Sequence, residues 1–311
     1  MSLPGIPIRT LYPAIAAVLQ SRIRFGHNIY SEDWDALIIL DACRVDALRE
    51  VQHEYDFLTD IETRWSRGST SKEWLENTFI EPYRDEIEST TYITSNYYST
   101  ELREENMNRL GYPMAEDEPV GERVFKTLLQ DDVLYASEFG EFISLFDRAV
   151  YEDGKQLHPE MVTDCAITVG RESDWDRLII HYMQPHHPFI QRDDPPRSHR
   201  EPFAYLNDGG HFEEVWEGYL GNLRLALDAV ELLLENLDAE KTVITADHGE
   251  LFGELGQTGH GVGIPHPNLR KVPWVETTAS DTGSYEPEYE RTEERAAEDE
   301  LQERLEALGY R

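Results

Sequence analysis

Short apolar runs, each followed by a polar or glycine-rich turn, recur along the chain, and helical patterns lie between them. The apolar runs are 36–41, 56–61, 91–94, 177–183, 242–246 and 272–276, and the helical patterns are 43–51, 71–79, 122–130 and 211–237. This alternation favours an α/β fold in which helices sandwich a mostly parallel central sheet. Ligands bind such sheets at the carboxyl ends of the strands, so functional residues are expected there.

The chain of 311 residues is long enough for one large α/β domain or two smaller ones. We predict one domain over 1–277, since the alternation of strands and helices continues that far without an internal repeat. Residues 278–300 are acidic and almost free of aliphatic side chains, and 297–310 have an amphipathic pattern. The segment 278–311 is therefore predicted to be an acidic linker followed by a C-terminal helix.

The chain is strongly acidic, because 62 Asp and Glu against 28 Lys and Arg give a net charge of −34. Such a surface repels nucleic acid and anionic membranes over most of its area, so no nucleic-acid partner is expected. The 40% of hydrophobic residues is still enough for a packed interior. A folded chain this acidic is typical of a salt-saturated cytoplasm, such as that of a haloarchaeon, where ions screen the self-repulsion.

Cysteine content and hydropathy bear on location. Cys43 and Cys165 make neither a disulfide framework nor a cysteine-rich metal site, which favours a reducing interior. The run 10–25 is short, is interrupted by Pro13 and lacks a convincing cleavage site, so an amphipathic helix is predicted there rather than a signal peptide. No stretch reaches the roughly 18 apolar residues of a membrane span. We therefore predict a cytoplasmic protein with no transmembrane span.

Two predicted helix starts carry side chains suited to chemistry. Asp41 ends the first apolar run, where it would either lie at the carboxyl edge of the sheet or cap the helix that follows. Ser69 and Thr70 follow Gly68 and precede the helical pattern at 71–79. That stretch is typical of a helix cap, but a hydroxyl at a helix N-terminus also suits phosphoryl or sulfuryl chemistry.

Two further strand ends are rich in histidine. The residues are His181, His186 and His187 in the middle of the chain, and Asp247, His248, His260 and His266 in its last third. Three histidines within seven residues favour ligand binding over a purely structural role. Carboxylates and imidazoles together suit a divalent cation, and the histidines favour Zn or Mn, with Mg or Ca as alternatives. No CxxC, P-loop or dinucleotide motif competes with this interpretation.

The order of these motifs resembles the alkaline phosphatase and sulfatase superfamily. The shared features are a strand-terminal Asp, a Ser/Thr at a helix start, a histidine-rich middle segment, and DHGE followed by GH. The stretch GSTSKEW is most similar to the threonine region of lipoteichoic acid synthase-type phosphotransferases, and DHGELFGE is similar to the corresponding stretch of sulfatases. The motifs extend from Asp41 to Pro273, which is most of the chain.

The resemblance implies an alkaline phosphatase-like fold, a metal site and a covalent mechanism. The implied metal ligands are Asp41, Thr70, Asp247 and His248. Thr70 would be the nucleophile, with Ser69 as the alternative, and His186 and His260 would take part in catalysis. The residues left for substrate or a second metal are His181, His187, Arg44 and Ser69. The C/S-x-P-x-R sequence of formylglycine sulfatases is absent from the hydroxyl stretch, so that cofactor is not expected.

The predicted function is a metal-dependent hydrolase or transferase that acts on phosphate or sulfate esters through a threonine nucleophile and a covalent intermediate. Its substrate would be a small anionic ester, or a sugar or lipid headgroup. The alternative is a non-catalytic member of the family that binds a polyanionic glycan or a partner protein. The motifs are consistent with both phosphoryl and sulfuryl transfer, and they do not indicate an oligomeric state.

Overall fold

A computed structural model describes residues 23–96, 98, 99, 102, 132–145, 157–192 and 194–291, together with Ile15 and Leu19. The strands are β1 (Ala36–Leu40), β2 (Glu62–Trp65), β3 (Thr90–Thr94), β4 (Glu141–Ser144), β5 (Arg177–Tyr182), β6 (Ala239–Thr245), β7 (Leu251–Phe252), β8 (Thr258–Gly259) and β9 (Lys271–Ala279). Seven of them form one sheet in the order β2-β9-β6-β1-β5-β3-β4, and β7 and β8 form a separate hairpin. The strands from β6 to β4 run parallel, whereas β9 and β2 add two antiparallel pairings at one side.

Helices cover both faces of this sheet. They are α1 (Val45–Val51), α2 (Ser71–Thr78), α3 (Arg84–Glu88), α4 (Pro159–Glu172), α5 (Arg197–Arg200), α6 (Pro202–Asn207), α7 (Phe212–Leu234) and α8 (Pro267–Arg270). Every residue of β1 is buried, and its side chains alternate between two apolar clusters. Ile38 and Leu40 belong to the cluster that includes α4 and α7, and Leu37 and Ile39 belong to the cluster that includes α2. Burial of each such side chain stabilises the fold by about 1.5–3 kcal/mol.

The predicted α/β fold with a mostly parallel sheet between helices is confirmed, and most of the predicted strands are present. The run 56–61 is an exception, because it forms a turn and an extended segment and β2 begins only at Glu62. Pairing with β9 sets where β2 begins, since Glu62 lies opposite Trp274. The sequence prediction omitted β4 and α4, and the helical pattern at 122–130 lies outside the described residues.

The predicted domain boundary at residue 277 falls within β9, which continues to Ala279. Beyond that strand, Tyr285 and Tyr289 pack against the apolar cluster of α4 and α7. The predicted C-terminal helix lies outside the described residues, so the two-part division of the chain stays a prediction. Across the described segments, no helix has the length and hydropathy needed to cross a membrane.

The strand register sets which residues meet at the carboxyl edge of the sheet. Leu40, the last residue of β1, lies beside Tyr182 of β5, and Ile39 lies beside Thr245 of β6. The segments that follow these three strands therefore begin at the same edge of the sheet. They carry the predicted carboxylates and histidines.

Candidate metal centre and active site

Asp41 and Asp247 form the centre of a first, fully buried cluster at this edge. One oxygen of each carboxylate accepts hydrogen bonds. Asn96 Nδ2 donates to Asp41 Oδ2 at 2.6 Å, and the backbone amides of Ala42 and His248 donate to Asp247 Oδ1 at 3.1 and 2.8 Å. The other oxygens, Asp41 Oδ1 and Asp247 Oδ2, are buried and have no hydrogen-bond partner. Leaving two such atoms unpaired is costly, and a bound cation would satisfy both.

His248 lies directly beside these oxygens. Its Nε2 is 3.7 Å from Asp41 Oδ1 and 3.6 Å from Asp247 Oδ2. Its Nδ1 is 2.7 Å from the carbonyl oxygen of Gly249. Because a carbonyl oxygen only accepts, Nδ1 carries the proton and Nε2 presents its lone pair to the cluster. Gly249 is required here, since a Cβ at that position would lie 2.0 Å from the carbonyl oxygen of Asn268.

His181 approaches the same carboxylates from β5. Its Nε2 is 3.8 Å from Asp41 Oδ2 and 3.9 Å from Asp247 Oδ2, and it has no hydrogen-bond partner. Its Nδ1 is 2.8 Å from the hydroxyl of Tyr92. Ligand atoms of Asp41, His181 and Asp247 all lie within 4.8 Å of one another. The carboxylate and imidazole donors suit Zn or Mn.

The hydroxyl in contact with this cluster belongs to Ser71, the first residue of α2. Its Oγ is 3.2 Å from Asp41 Oδ2 and 3.3 Å from His248 Nε2. The Ser71 side chain is buried at the start of the helix. A nucleophile in this position would face the unpaired carboxylate oxygens of the cluster.

Thr70 and Ser69, the two hydroxyls favoured by the sequence, have other partners. Thr70 is the N-cap of α2, and its Oγ1 accepts a hydrogen bond from the amide of Glu73 at 3.2 Å. Ser69 Oγ lies 2.6 Å from Glu73 Oε2 and 2.8 Å from the carbonyl oxygen of Gly261, the two acceptors available to its hydroxyl proton. Among the described residues, neither hydroxyl makes a hydrogen bond to the cluster. The extended backbone of an N-cap directs its side chain back to the helix amides, which leaves Ser71 to face the carboxylates.

The two carboxyl groups differ in pKa. Burial, together with the nearby Asp247 carboxylate, raises the pKa of Asp41 well above its ordinary value. Burial alone would also raise the pKa of Asp247, but the imidazoles of His248 and His181 lower it below the ordinary value. Without a cation, the pair therefore takes up its first proton on Asp41 rather than on Asp247. A divalent cation would displace that proton, because it stabilises both carboxylates in the charged form.

A second cluster lies next to the first and consists of His186, Glu250 and His260. His260 Nδ1 is 3.0 Å from Glu250 Oε2, and His186 Nδ1 is 2.6 Å from the carbonyl oxygen of His187. Both rings therefore turn Nε2 away from these partners. The His260 ring lies between the clusters, with its centroid 4.5 Å from that of His248 and 5.3 Å from that of His186.

The histidines of the second cluster have opposite pKa shifts. Burial favours neutral His260, but the Glu250 carboxylate outweighs it and raises the pKa of His260. Burial and the neighbouring His187 and His260 lower the pKa of His186 well below its ordinary value. The surroundings therefore favour the protonated form of His260 and the neutral form of His186, and such a separation is typical of acid–base sites.

Two other predicted substrate residues lie beside this site. The His187 ring is tilted by 32° relative to the His186 ring, with the centroids 4.3 Å apart, and it meets the Phe203 ring edge to face at 4.6 Å. Arg44 is already paired, with its guanidinium bound to both oxygens of Asp46 and to Glu254 at 2.6 Å. Because these carboxylates occupy its donors, Arg44 links α1 to the loop after β7 and is not open to bind an anionic substrate.

The sequence prediction missed four residues that contact the clusters: Ser71, Asn96, Tyr92 and Glu250. Ser71 directly follows Ser69 and Thr70, and the position after the N-cap is the sequence feature that marks it. Glu250 is the last residue of DHGE, two positions after His248, so its place beside the predicted ligands is visible in the sequence. Nothing in the linear pattern marks Asn96 or Tyr92, because their contacts are set by the pairing of β3 with β5.

Comparison with solved structures relates the fold of this chain to known proteins. The chain is similar to the soluble domain of lipooligosaccharide phosphoethanolamine transferase A from Neisseria meningitidis, with a TM-score of 0.50 and 12% identity over 82% of this chain and 80% of that one. The full integral membrane form of that transferase matches with a TM-score of 0.47 and 12% identity over 82% of this chain, which spans 50% of its length. At this identity the likeness concerns the fold.

Two further structures have lower scores. The lipoteichoic acid synthase LtaP from Listeria monocytogenes matches with a TM-score of 0.42 and 11% identity over 84% of this chain and 71% of that one. A protein in the alkaline phosphatase superfamily from Vibrio parahaemolyticus matches with a TM-score of 0.40 and 9% identity over 89% and 70%. No protein-family model matches the sequence, and no curated protein matches it either.

Proposed function

We propose that this protein is a metal-dependent enzyme that transfers or hydrolyses phosphate esters, with Ser71 as its nucleophile. One observation carries the proposal: the buried Ser71 hydroxyl lies 3.2 Å from Asp41 Oδ2, beside two carboxylate oxygens that have no hydrogen-bond partner. A structural serine would not require unpaired carboxylates around it. The same arrangement suits a cation-assisted attack on an ester.

The cation would be held by Asp41, Asp247, His248 and the Ser71 hydroxyl, with His181 facing the same carboxylates. A bound divalent cation would supply acidification of the serine hydroxyl and compensation of negative charge on the ester. The protein's own contribution is to fix the donors before substrate arrives. Asn96 and two backbone amides hold one oxygen of each carboxylate and direct the other into the cluster.

His260 is the group that would move the proton. In the first step, the Ser71 oxygen, whose proton would leave to solvent before the attack, forms a bond to phosphorus while the bond to the leaving oxygen breaks, and protonated His260 gives its proton to that oxygen. In the second step, neutral His260 takes a proton from water or from an acceptor alcohol, whose oxygen attacks phosphorus and releases Ser71 as the alkoxide that begins the next cycle. Glu250 favours the charged form of His260 at the start of the cycle, since it raises the pKa of that imidazole.

Phosphate is proposed over sulfate because Ser71 lies in STSKEW, which lacks the C/S-x-P-x-R sequence of formylglycine sulfatases. The phosphotransferase fold of the Neisseria domain supports the same choice at the level of fold. The substrate class would be an anionic ester of a sugar or lipid headgroup. The choices between Zn and Mn and between hydrolysis and transfer, and the cytoplasmic location, stay predictions.

The experiment compares Ser71→Ala with Thr70→Ala, which removes a hydroxyl one residue away. Turnover of p-nitrophenyl phosphate, bis-p-nitrophenyl phosphate and p-nitrophenyl sulfate is measured at high salt with Zn or Mn. We expect Ser71→Ala to lose about 10³-fold or more in kcat, because the nucleophile is gone. Thr70→Ala should keep most of its turnover and lose about 1 kcal/mol of stability, because it removes a helix cap.

The opposite ranking of these two variants would contradict the assignment of Ser71. Absence of turnover of all three esters, together with metal binding that Asp247→Ala abolishes, would instead favour the non-catalytic alternative, in which the metal site serves binding. Faster turnover of the sulfate ester would overturn the preference for phosphate.

A further inference from the structure

An exposed apolar surface lies at the N-terminal end of the described chain. The side chains are Ile15, Leu19, Ile23, Phe25 and Trp65, with exposed fractions of 42%, 52%, 70%, 58% and 36%. The first three are each helical, and their spacing of four residues is the spacing of side chains on one helix face. The Phe25 and Trp65 rings meet edge to face at 5.6 Å and continue this surface onto the sheet. We refer to these five residues as the N-terminal apolar patch.

This patch lies at the same edge of the sheet as the two clusters. Trp65 is the last residue of β2 and lies opposite Lys271, the first residue of β9. Thr245, the last residue of β6, pairs with Trp274, which comes later in β9. Trp65 therefore lies beyond the end of β6, on the side where Asp247 follows. The adjacent Ser66 confirms the proximity, since its hydroxyl donates to the carbonyl oxygen of Asp247.

The charge of this region is opposite to that of the rest of the chain. Residues 1–31 contain Arg9, Arg22 and Arg24 and no Asp or Glu. They carry +3, so residues 32–311 must carry −37 to give the total of −34. Arg24 is paired with Asp132. Lys271, one of only five lysines, is exposed and lies with its Nζ 5.5 Å from the centroid of the Trp65 ring.

We infer that the N-terminal apolar patch docks on an anionic lipid surface and turns the catalytic edge towards it. Aliphatic and aromatic side chains beside Lys and Arg are the composition of interfacial helices that lie in the headgroup region. The acidic remainder of the chain would be repelled by the same lipids, so only this side fits. A Trp at the border of the patch suits the membrane–water interface.

A second copy of the chain is a poorer occupant of the patch. Elsewhere in the described residues, the large exposed hydrophobic side chains are Phe212 and Leu255, which are too few to cover five. Because residues 1–31 contain no Asp or Glu, a two-fold contact of this segment with itself would pair no opposite charges within it. Lipid offers apolar contact and negative charge together. This inference does not depend on the proposed chemistry, since lipid binding requires no turnover.

The test is sedimentation of the full chain with vesicles made of equal parts phosphatidylglycerol and phosphatidylcholine, or of phosphatidylcholine alone. Wild type should bind the anionic vesicles, and Phe25→Glu and Ile23→Glu, each as a single variant, should weaken partitioning about tenfold or more. The matched control is Leu255→Glu, which places the same charge on a side chain that is 88% exposed outside the patch. It should bind like wild type, and circular dichroism should confirm that all variants are folded.

A second measurement reports on Trp65 directly. Brominated lipids should quench part of the tryptophan fluorescence of wild type, and Trp65→Phe should remove that part. Failure of wild type to bind anionic vesicles would overturn the inference. An equal loss of vesicle binding in Leu255→Glu would also overturn it. A patch-dependent dimer without vesicle binding, detected by sedimentation equilibrium, would assign the patch to a second copy instead. Turnover measured on a soluble ester separates this failure from failure of the proposed catalysis.

Discussion

The two clusters at the carboxyl edge are built from the same residue types but differ in burial and charge. The first, around Asp41 and Asp247, is fully buried, and its free oxygens have no partner. In the second, His186 and His260 are partly exposed, and His260 is satisfied by Glu250. An unpaired buried carboxylate requires a cation, whereas a paired imidazole at the surface can exchange protons. Environment, rather than residue type, separates a metal centre from an acid–base site.

The largest expected effect comes from breaking the first cluster while sparing the second. Asp247→Asn should abolish binding of Zn or Mn at the first cluster, because it removes one charge and one unpaired oxygen, and kcat should fall about 10⁴-fold. His260→Gln should keep that metal and lose about 10²–10⁴-fold in kcat, because it removes the proton donor. Metal content by mass spectrometry and turnover of a phosphate ester check both. Equal metal loss in the two variants would show that the clusters are one site.

An intermediate effect is expected from Glu250→Gln. Glu250 raises the pKa of His260, so its removal should lower that pKa, and the alkaline limb of the kcat–pH profile should move to lower pH. At alkaline pH the loss in kcat should be about tenfold. NMR titration of His260 in the metal-free protein measures the pKa itself. Glu254→Gln is the matched control, since Glu254 pairs with Arg44. An equal shift of the His260 pKa in that variant would contradict the pairing of Glu250 with His260.

The smallest effect concerns the stability of the metal-free protein. The folded-state pKa of Asp41 is raised above the ordinary value of 3.8. The stabilisation from its tightly held proton is therefore complete below that value and is lost as pH rises through the folded pKa. Over this window the free energy of unfolding should fall in wild type by about 1–3 kcal/mol relative to Asp41→Asn. Thermal unfolding with a chelator measures the difference, and added Zn should restore wild type only. An unchanged difference across this window would contradict the raised pKa.

The places of Asp41, of the histidines after β5 and of the Asp247–His248 pair were visible in the sequence, because each is a local pattern. Asp41 and the Asp247–His248 pair directly follow buried strands, and polar residues at such places are visible without a structure. Histidine density likewise marked His181 and His186. The hydroxyl was harder, since Ser69, Thr70 and Ser71 are consecutive and only the backbone at the helix start decides which one faces the carboxylates.

The sequence by itself determined the α/β fold and the strand ends at which carboxylates and histidines gather, and it predicted the kind of ligand they suit, because apolar periodicity and residue chemistry are local properties. The tertiary structure alone decided that Ser71 meets Asp41, that Glu250 pairs with His260 and that Arg44 is occupied by other carboxylates. Those contacts join residues up to 210 positions apart in the chain. Strand register and burial set their distances and pKa values, and neither can be read from the order of residues alone.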